Sequence, residues 1–444
     1  MSFEQPTQSD EKVAFASTVQ PPSYQITTEP PYPPPGDAES GRLMRRFGPP
    51  HFGGIHEGSD FGLVISRTRP GVGIDSCVES ADWTEVDPRD SHHPHGFSVW
   101  QQAELSLPTD TDDIFLLSRG FHAFGHLEII EAADREDIGV EVVVGYNDDS
   151  DLFERSSVCT LRRGDNGHGI GIFTPNFGHP HRDHERERDL IFFNITLSLP
   201  EGKGVTIVPH FETRLPLFSQ IVAGLPTHTF GSISLYSTNR PIFAHSLVGD
   251  KISIHSKNGP IEGTFNTSSS LDIETSNTPV KVVVNALNQN NSAPTDVKIR
   301  TSNSVLSADL SLISTFENST SGAFTVVTRT SNSPLEVNFS DHAPDGLLKL
   351  DAHTSNSPVE VRLHPSFEGT FKLRTSVFSA TVSPDLEVVD PAGRDRKRSV
   401  NVSTIGRYSR IIHGDVAWKP EDEALKPDSK VEVSTSNSPL RVWL

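Results

Sequence analysis

Apolar and polar residues alternate along most of the chain beyond residue 97, and this alternation is typical of β-strands. Between residues 97 and 211, Gly, Asp and Pro separate runs that are rich in β-branched and aromatic residues. A short segment, Leu215–Val222, is the one weak candidate for a helix. The pattern therefore predicts a β-strand-rich lobe over residues 97–228. Its clearest strand candidates are 126–132, 139–146, 169–173 and 190–199.

A repeated six-residue phrase organises residues 229–444: Ser/Thr-x-Asn-x-Pro followed by Ile, Val or Leu. Apolar residues recur six and four positions before its asparagine and three positions after it, so a strand is predicted on each side. Such a repeat predicts a stack of small β units, because one unit cannot bury its apolar face alone. The predicted fold class is all-β, with the β-rich lobe continuing into a repeat β-solenoid. The asparagines are Asn239, Asn258, Asn277, Asn303, Asn332, Asn356 and Asn437.

The chain is predicted to turn a corner at each asparagine of the repeat. The apolar residues that flank the corner lie seven positions apart, an odd number, so the inward alternation must slip by one residue there. Asn tolerates a left-handed backbone, and Pro keeps the residue before it extended. We expect the repeated threonines to face outward in a hydrogen-bonded ladder beside stacked amides; a flat polar surface for a carbohydrate or peptide is the alternative. These threonines are Thr275, Thr301, Thr330, Thr354 and Thr435.

The repeat diverges between residues 364 and 430. The run 371–382 keeps the alternation but has Val377 where an asparagine is expected, and a second alternating run follows at 400–418. Both runs are interpreted as diverged coils of the solenoid. The coil that ends at Leu444 is then expected to be the exposed end of the stack, which needs a cap or a partner.

Residues 1–52 are dense in Pro, Gln, Ser, Thr and Glu, and they lack a periodic apolar pattern. Such a segment cannot offset its ordering entropy, so a disordered Pro-rich tail is predicted, followed by an irregular linker over 53–96. Pro21, Pro22 and Tyr24 form a PPxY motif, which docks in WW domains as a preformed polyproline segment. A proline-rich tail that contains this spacing by chance is the alternative.

Charge and cysteine content narrow the range of partners. The formal net charge of −20 argues against binding to nucleic acid or to an anionic membrane. The two cysteines, Cys77 and Cys159, are too few for a disulfide framework or a zinc site. Neither a membrane span nor a secretory signal is recognisable, so a cytoplasmic location is expected. The oligomeric state is left open.

Two groups of histidines are candidate metal ligands, since imidazole binds Zn or Ni. Neither group lies on a regular element that would fix the geometry, so solvated loops are the expected interpretation, with no metal and no cofactor. The candidates are His92, His93 and His95, and separately His179, His181 and His184 beside Asp183.

The alternating lobe, the run LSLPEGKGVTIVPHF at 197–211 and the TSN-[SG]-P-[IVL] coils together resemble adhesin-like β-solenoid families of unknown function in bacteria and fungi. The proline-rich tail with its PPxY motif is similar to that of uncharacterised fungal members. The resemblance covers roughly residues 97–444 and implies the architecture. It implies no catalytic residue.

A non-enzymatic β-solenoid scaffold or binding module, with a tail that recruits a WW-domain partner, is therefore the first functional hypothesis. A carbohydrate-active enzyme on a β-helix is one rival, but it needs clustered acidic or basic residues on one face, and the repeated positions carry Ser, Thr and Asn. An adhesin-like surface protein is the other rival. Glycans at sequons such as Asn266 or Asn338 would support it.

Overall fold

The computed structural model describes residues 77–86, 96–120, 122–148, 151–175, 190–289, 293–316, 319–405, 410–419 and 428–444. Every helix or strand within these ranges is a β-strand, so the predicted all-β class is confirmed. The helix suggested at Leu215–Val222 is wrong, because its residues lead into a strand that pairs with two others. No helix capable of crossing a membrane occurs in the described ranges.

The strands follow one another closely along the chain. In order they are β1 (Glu79–Ser80), β2 (Thr84–Glu85), β3 (Val99–Leu107), β4 (Asp113–Arg119), β5 (Ala123–Ala132), β6 (Ile138–Tyr146), β7 (Ser157–Arg163), β8 (Gly167–Phe173), β9 (Ile191–Pro200), β10 (Thr206–Arg214), β11 (Phe218–Gly224), β12 (His228–Tyr236), β13 (Ile242–His255), β14 (Ile261–Glu274), β15 (Val280–Asn288), β16 (Thr295–Arg300), β17 (Leu306–Ser314), β18 (Ala323–Arg329), β19 (Leu335–His342), β20 (Leu347–Thr354), β21 (Val359–Arg362), β22 (Gly369–Arg374), β23 (Ala380–Ser383), β24 (Lys397–Ile405), β25 (Ile411–Lys419), β26 (Lys430–Thr435) and β27 (Leu440–Trp443).

Strand pairing arranges these elements in two rows that share β13 and β14, the two long strands that bend and contribute to both. Row A has the order β2, β3, β6, β9, β5, β11, β13, β14, β15, β17, β19, β21, β27, β23. Row B has the order β1, β7, β8, β4, β10, β12, β13, β14, β16, β18, β20, β26, β22, β25, β24. The central pairs are parallel, and antiparallel pairs occur near the ends. The lobe and the coils therefore share the same rows.

The core lies between the rows, where the sequence pattern predicts it. Register brings equivalent repeat positions into direct neighbourhood, as with Ile254 and Ile273 in row B and Ile261 and Val280 in row A. Apolar columns then run from coil to coil through one continuous core. The buried members are Ile233, Ile252, Leu271, Val297, Val326, Leu350 and Val431 before the corners, and Ile242, Ile261, Val280, Leu306, Leu335, Val359 and Leu440 after them.

Each asparagine phrase is a corner where the chain passes from row B to row A. In the coil of Asn258, Ile254 and Ser256 are buried, residues 257 and 258 are exposed, and Ile261 is the next core residue of row A. Buried positions before the corner are therefore even-numbered and those after it are odd-numbered. The predicted slip in the alternation is confirmed.

The coil formed by β26 and β27 lies inside the stack, so the expectation that the coil ending at Leu444 would be its exposed end is wrong. β26 pairs with β20 on one side and with β22 on the other, and β27 pairs with β21 and β23. Every parallel coil offers the same pattern of backbone donors and acceptors to the coil above it and to the coil below it. The stacking order therefore need not follow the order of the coils along the chain. The run at 400–418, interpreted as a coil, instead falls in the antiparallel hairpin of β24 and β25 that finishes row B.

Residues 77–86 close the opposite end, and they lie within the segment predicted to be an irregular linker. β1 pairs with β7 and β2 pairs with β3, so this short segment covers the terminal strands of both rows. Ala81 and Trp83 pack against the core between these two contacts. Cys77 and Cys159 form a disulfide that fixes the segment to β7. The two cysteines thus build a single bridge and not a framework.

Candidate functional site

The seven repeat asparagines are brought together in one ladder on the exposed edge of the stack. From Asn258 onward, each side-chain amide nitrogen donates to the amide oxygen of the asparagine in the preceding coil of the stack, at 2.7 to 2.8 Å. Each inner rung both donates and accepts, so the side chains are fixed in one orientation. The donor and acceptor pairs are Asn258 to Asn239, Asn277 to Asn258, Asn303 to Asn277, Asn332 to Asn303, Asn356 to Asn332 and Asn437 to Asn356.

The repeated threonines form a second column on the inner side of the corners, so the expectation that they face outward is wrong. All five are buried, because the slip in alternation occurs after the threonine and leaves it on the core side. Their hydroxyls donate to backbone carbonyls of the neighbouring coil. The bonds are Thr275 to Lys257 at 3.5 Å, Thr301 to Thr278 at 3.2 Å, Thr330 to Ser304 at 3.3 Å, Thr354 to Ser333 at 3.3 Å and Thr435 to Ser357 at 3.2 Å.

A groove of about 540 Å³ crosses β14, β15, β17, β19 and β21 on row A. Six of the fourteen residues that line it are charged. Strand neighbours carry opposite charges at Glu262 and Lys281 but like charges at Glu336 and Glu360. Asn338 donates to the carboxylate of Asp309 at 3.2 Å. The charged lining residues are Glu262, Lys281, Asp309, Glu336, Glu360 and Arg362.

The groove runs across the strands, so a ligand that follows it contacts one side chain per coil at intervals of about 4.8 Å. Val283 is 43% exposed and offers an apolar contact among the charges. Arg362, on the last of the five strands, lies 4.7 Å from the centre of the Trp443 ring. This arrangement suits an extended polar ligand with charges of both signs.

A cluster of ionisable side chains occupies row B of the lobe, and the sequence reasoning missed it. Arg163 on β7 donates to Glu212 on β10 at 2.6 Å and to Asp113 on β4 at 3.2 Å. The guanidinium lies 4.0 Å from the centre of the Phe115 ring. Arg214 adds a second donor to Glu212 at 2.5 Å. The only sequence signal is a charged pair in the otherwise alternating run 206–214, and nothing in it points to the distant β4 and β7.

The two carboxylates of this cluster have pKa values shifted in opposite directions. Burial raises the pKa of Asp113, although Arg163 and His210 oppose the rise, and one of its oxygens has no hydrogen-bond partner among the described residues. Burial also acts to raise the pKa of Glu212, but the bonds from Arg163 and Arg214 outweigh it and lower that pKa. Two carboxylates whose pKa values are shifted apart can serve as a general acid and a general base. Here, however, Arg163 bonds to both carboxylates, and this geometry is typical of a structural ion cluster.

Several residues singled out in the sequence lie outside the described ranges. They are Pro21, Pro22 and Tyr24 of the PPxY motif, the histidines His92, His93 and His95, and the group of His179, His181, Asp183 and His184. Within the described ranges, no group of three or more His, Cys, Asp and Glu side chains is placed to hold a metal ion.

One protein-family model matches part of the chain. Residues 250–444 match the model described as Domain of unknown function (DUF7330), and this span includes every asparagine corner except that of Asn239. Among solved structures, a "putative cell adhesion protein" from Clostridium sporogenes is similar at 7% identity, with 77% of this chain and 98% of that chain covered and a TM-score of 0.16. At this TM-score the similarity supports no functional argument. No curated protein matches the chain.

Proposed function

We propose that this chain is a non-enzymatic β-solenoid scaffold whose groove on row A holds an extended polar ligand and whose PPxY tail recruits a WW-domain protein. The stack supplies a rigid platform, and the tail supplies a docking motif with a low entropic cost of binding. The two functions are separable, because the tail precedes all the strands described.

The proposal rests on the hydrogen bonds that the repeated asparagine and threonine side chains form. The asparagine amides bond to one another along the stack, and the threonine hydroxyls are buried donors to backbone carbonyls. These groups stabilise coil stacking and are therefore engaged, so they are not free to act as nucleophiles or bases. The groove is a concave surface with polar side chains that face solvent, and its carboxylates are distributed over successive strands.

The tail is tested with the full chain and an immobilised WW domain of the ubiquitin-ligase type. The wild type is expected to bind, and Tyr24→Ala is expected to lose at least about tenfold in affinity, because the tyrosine is the second anchor of the motif. Tyr32→Ala is the matched control, since Tyr32 lies in the same proline-rich segment without the PPxY spacing. Equal affinities of the wild type and Tyr24→Ala would exclude this function of the tail.

An exported, adhesin-like protein is the second candidate, and the Cys77–Cys159 disulfide favours it. Disulfides form and persist mainly in oxidising compartments, whereas WW-domain partners belong to the cytoplasm. Thiol labelling of protein isolated from its own cells separates the candidates. Blocked cysteines together with glycans on Asn266 or Asn338 support export, and free thiols on an unglycosylated chain support the cytoplasmic scaffold.

A further inference from the structure

Strand β24 is the last strand of row B, and it has a free edge. One edge pairs with β25 along the whole strand without a register shift, and no described strand pairs with the other edge. Val402 is 44% exposed and Ile405 is 53% exposed, so the strand also leaves apolar surface in water. Exposed edges of this length are normally blunted by a bulge, a proline or a central lysine. β24 has none of these over residues 399–405.

The five central residues of β24 form a palindrome about Asn401. Residues 399–403 read Ser-Val-Asn-Val-Ser. When such a strand pairs with itself in the antiparallel direction, with the two-fold axis at the central residue, identical residue types lie opposite one another. An isologous interface places residue i of one copy against residue j of the other and j against i, and the palindrome makes these opposed residues identical in type.

We propose that β24 pairs antiparallel with β24 of a second copy of this chain, centred on Asn401, so that row B continues through a symmetric dimer. Ser399 then lies opposite Ser403 of the second copy, and Val400 lies opposite Val402. Val400 already packs against the core. The added strand therefore extends the same apolar layer and removes the exposed part of Val402 from water.

Charge placement agrees with this pairing. The central residues 399–405 carry no ionisable side chain, and the basic Lys397 and Arg398 lie at one end of the strand. In the antiparallel arrangement this basic end meets the neutral end of the second copy, which begins at Thr404. No pair of like charges is brought into direct opposition, so the pairing avoids the electrostatic cost that commonly prevents edge association.

The free edge is also held in a fixed position before any partner arrives. Arg396, directly before β24, donates to both oxygens of Asp390 at 3.0 Å and to Glu368 at 2.8 Å. The other oxygen of Glu368 accepts from the backbone nitrogen of Trp418 on β25 at 3.1 Å. These side chains are almost completely buried, so the hairpin is fastened to the end of the stack. Little ordering entropy then opposes pairing.

The first test is the sedimentation of the full chain over a concentration range of about 1–100 µM, because an interface of two edge strands is small. The wild type is expected to show a concentration-dependent dimer. Val402→Lys is expected to weaken it at least about tenfold, since a charge replaces the valine that the second copy covers. Ile207→Lys is the matched control, because Ile207 is 68% exposed on β10, in the lobe part of row B, and should leave the dimer unchanged.

Cross-linking tests the geometry. Across the two-fold axis the Cα atoms of the two copies of residue 401 lie about 5 Å apart, within reach of a disulfide. Asn401→Cys is therefore expected to form a covalent dimer under mild oxidation. Ile405 is also exposed, but it lies four residues from the axis in each copy, so its two Cα atoms are about 27 Å apart and Ile405→Cys should not form the covalent dimer.

Thermal unfolding of each variant shows whether it is folded. A wild type that remains monomeric at 100 µM would overturn the proposal. So would cross-linking of Asn401→Cys and Ile405→Cys to the same extent, or a folded Asn401→Cys that does not cross-link. Loss of the dimer in both lysine variants would place the contact elsewhere and overturn it as well.

Discussion

His342 is a completely buried histidine, with 1% of its surface exposed and no hydrogen-bond partner for either ring nitrogen among the described residues. Burial, helped by the nearby His364, lowers its pKa from 6.5 to about 4. The neutral imidazole is therefore the form that packs. In the unfolded chain the same group takes up a proton near pH 6.5, so the unfolded state gains protons first as the pH falls.

This residue predicts how stability depends on pH. A base whose pKa is lowered by folding costs stability as the pH drops from about 6.5 to about 4, so the wild type should lose about 2 kcal/mol between pH 7 and pH 5 through His342. His342→Leu should remove this loss, as measured by urea unfolding at both pH values. His413→Leu, which changes an exposed histidine, should retain it. An identical decline in His342→Leu and the wild type would contradict the assignment.

At the scale of elements, the asparagine ladder stops where its next rung is missing. The coil of β22 and β23 stacks on the coil of Asn437, and the backbone nitrogen of Ser376 donates to the carbonyl of Ser436 at 3.2 Å, as in the other corners. Val377 then occupies the asparagine position and is 54% exposed. The carboxamide oxygen of Asn437 thus has no asparagine to accept from on this side.

Val377→Asn should add an eighth rung. The new amide would donate to Asn437, and one such hydrogen bond contributes about 1 kcal/mol, which would appear as a higher urea midpoint with an unchanged slope. Val377→Asp is the matched control, because it has the same shape but cannot donate from an ionised carboxylate. A gain in stability of the same size in both variants would show that polarity, and not the ladder, is responsible.

At the scale of the whole molecule, the short segment 77–86 stands out, because it covers the terminal strands of both rows. It makes few strand hydrogen bonds of its own, and the Cys77–Cys159 bridge closes a loop with a sequence separation of 82. A bridge over a loop of this size stabilises a fold by about 2–4 kcal/mol. The aromatic pair of Trp83 and Phe153, with ring centres 5.5 Å apart, adds to the contact.

Cys77→Ser is therefore expected to lower the unfolding free energy by about 2–4 kcal/mol, because the cross-link no longer limits the unfolded chain. Cys77 is exposed, so the substitution leaves no cavity. When a reductant is added, the unfolding free energy of the wild type should fall to that of the variant. The unfolding free energy of the variant should not change. A wild type that is insensitive to reductant would contradict this role of the bridge.

The sequence predicts which residues form the core far better than it predicts the stacking order of the coils or the residues of the candidate site. A period of two identifies columns such as Ile261 and Val280 because burial depends on local alternation, and the odd spacing at the asparagine reveals the corner. The orientation of Thr301 is missed because the slip could occur on either side of it. The cluster of Asp113, Arg163 and Glu212 is missed because three distant strands build it. The order of the last coils is missed because parallel coils share one register.

β26 and β27 lie between strands that precede them in the chain, and this order has a consequence for biosynthesis. Residues 369–419 leave the ribosome first, yet the surface on which β22 and β23 rest consists of residues 430–443. During translation these residues are synthesised before the coil against which they pack, so aliphatic side chains such as Leu373 remain in water until β26 and β27 are made. The stack is therefore complete only once β26 and β27 have been synthesised. A nascent chain halted at residue 425 would lack a coil from the inside of the stack, whereas its terminal hairpin would already be present.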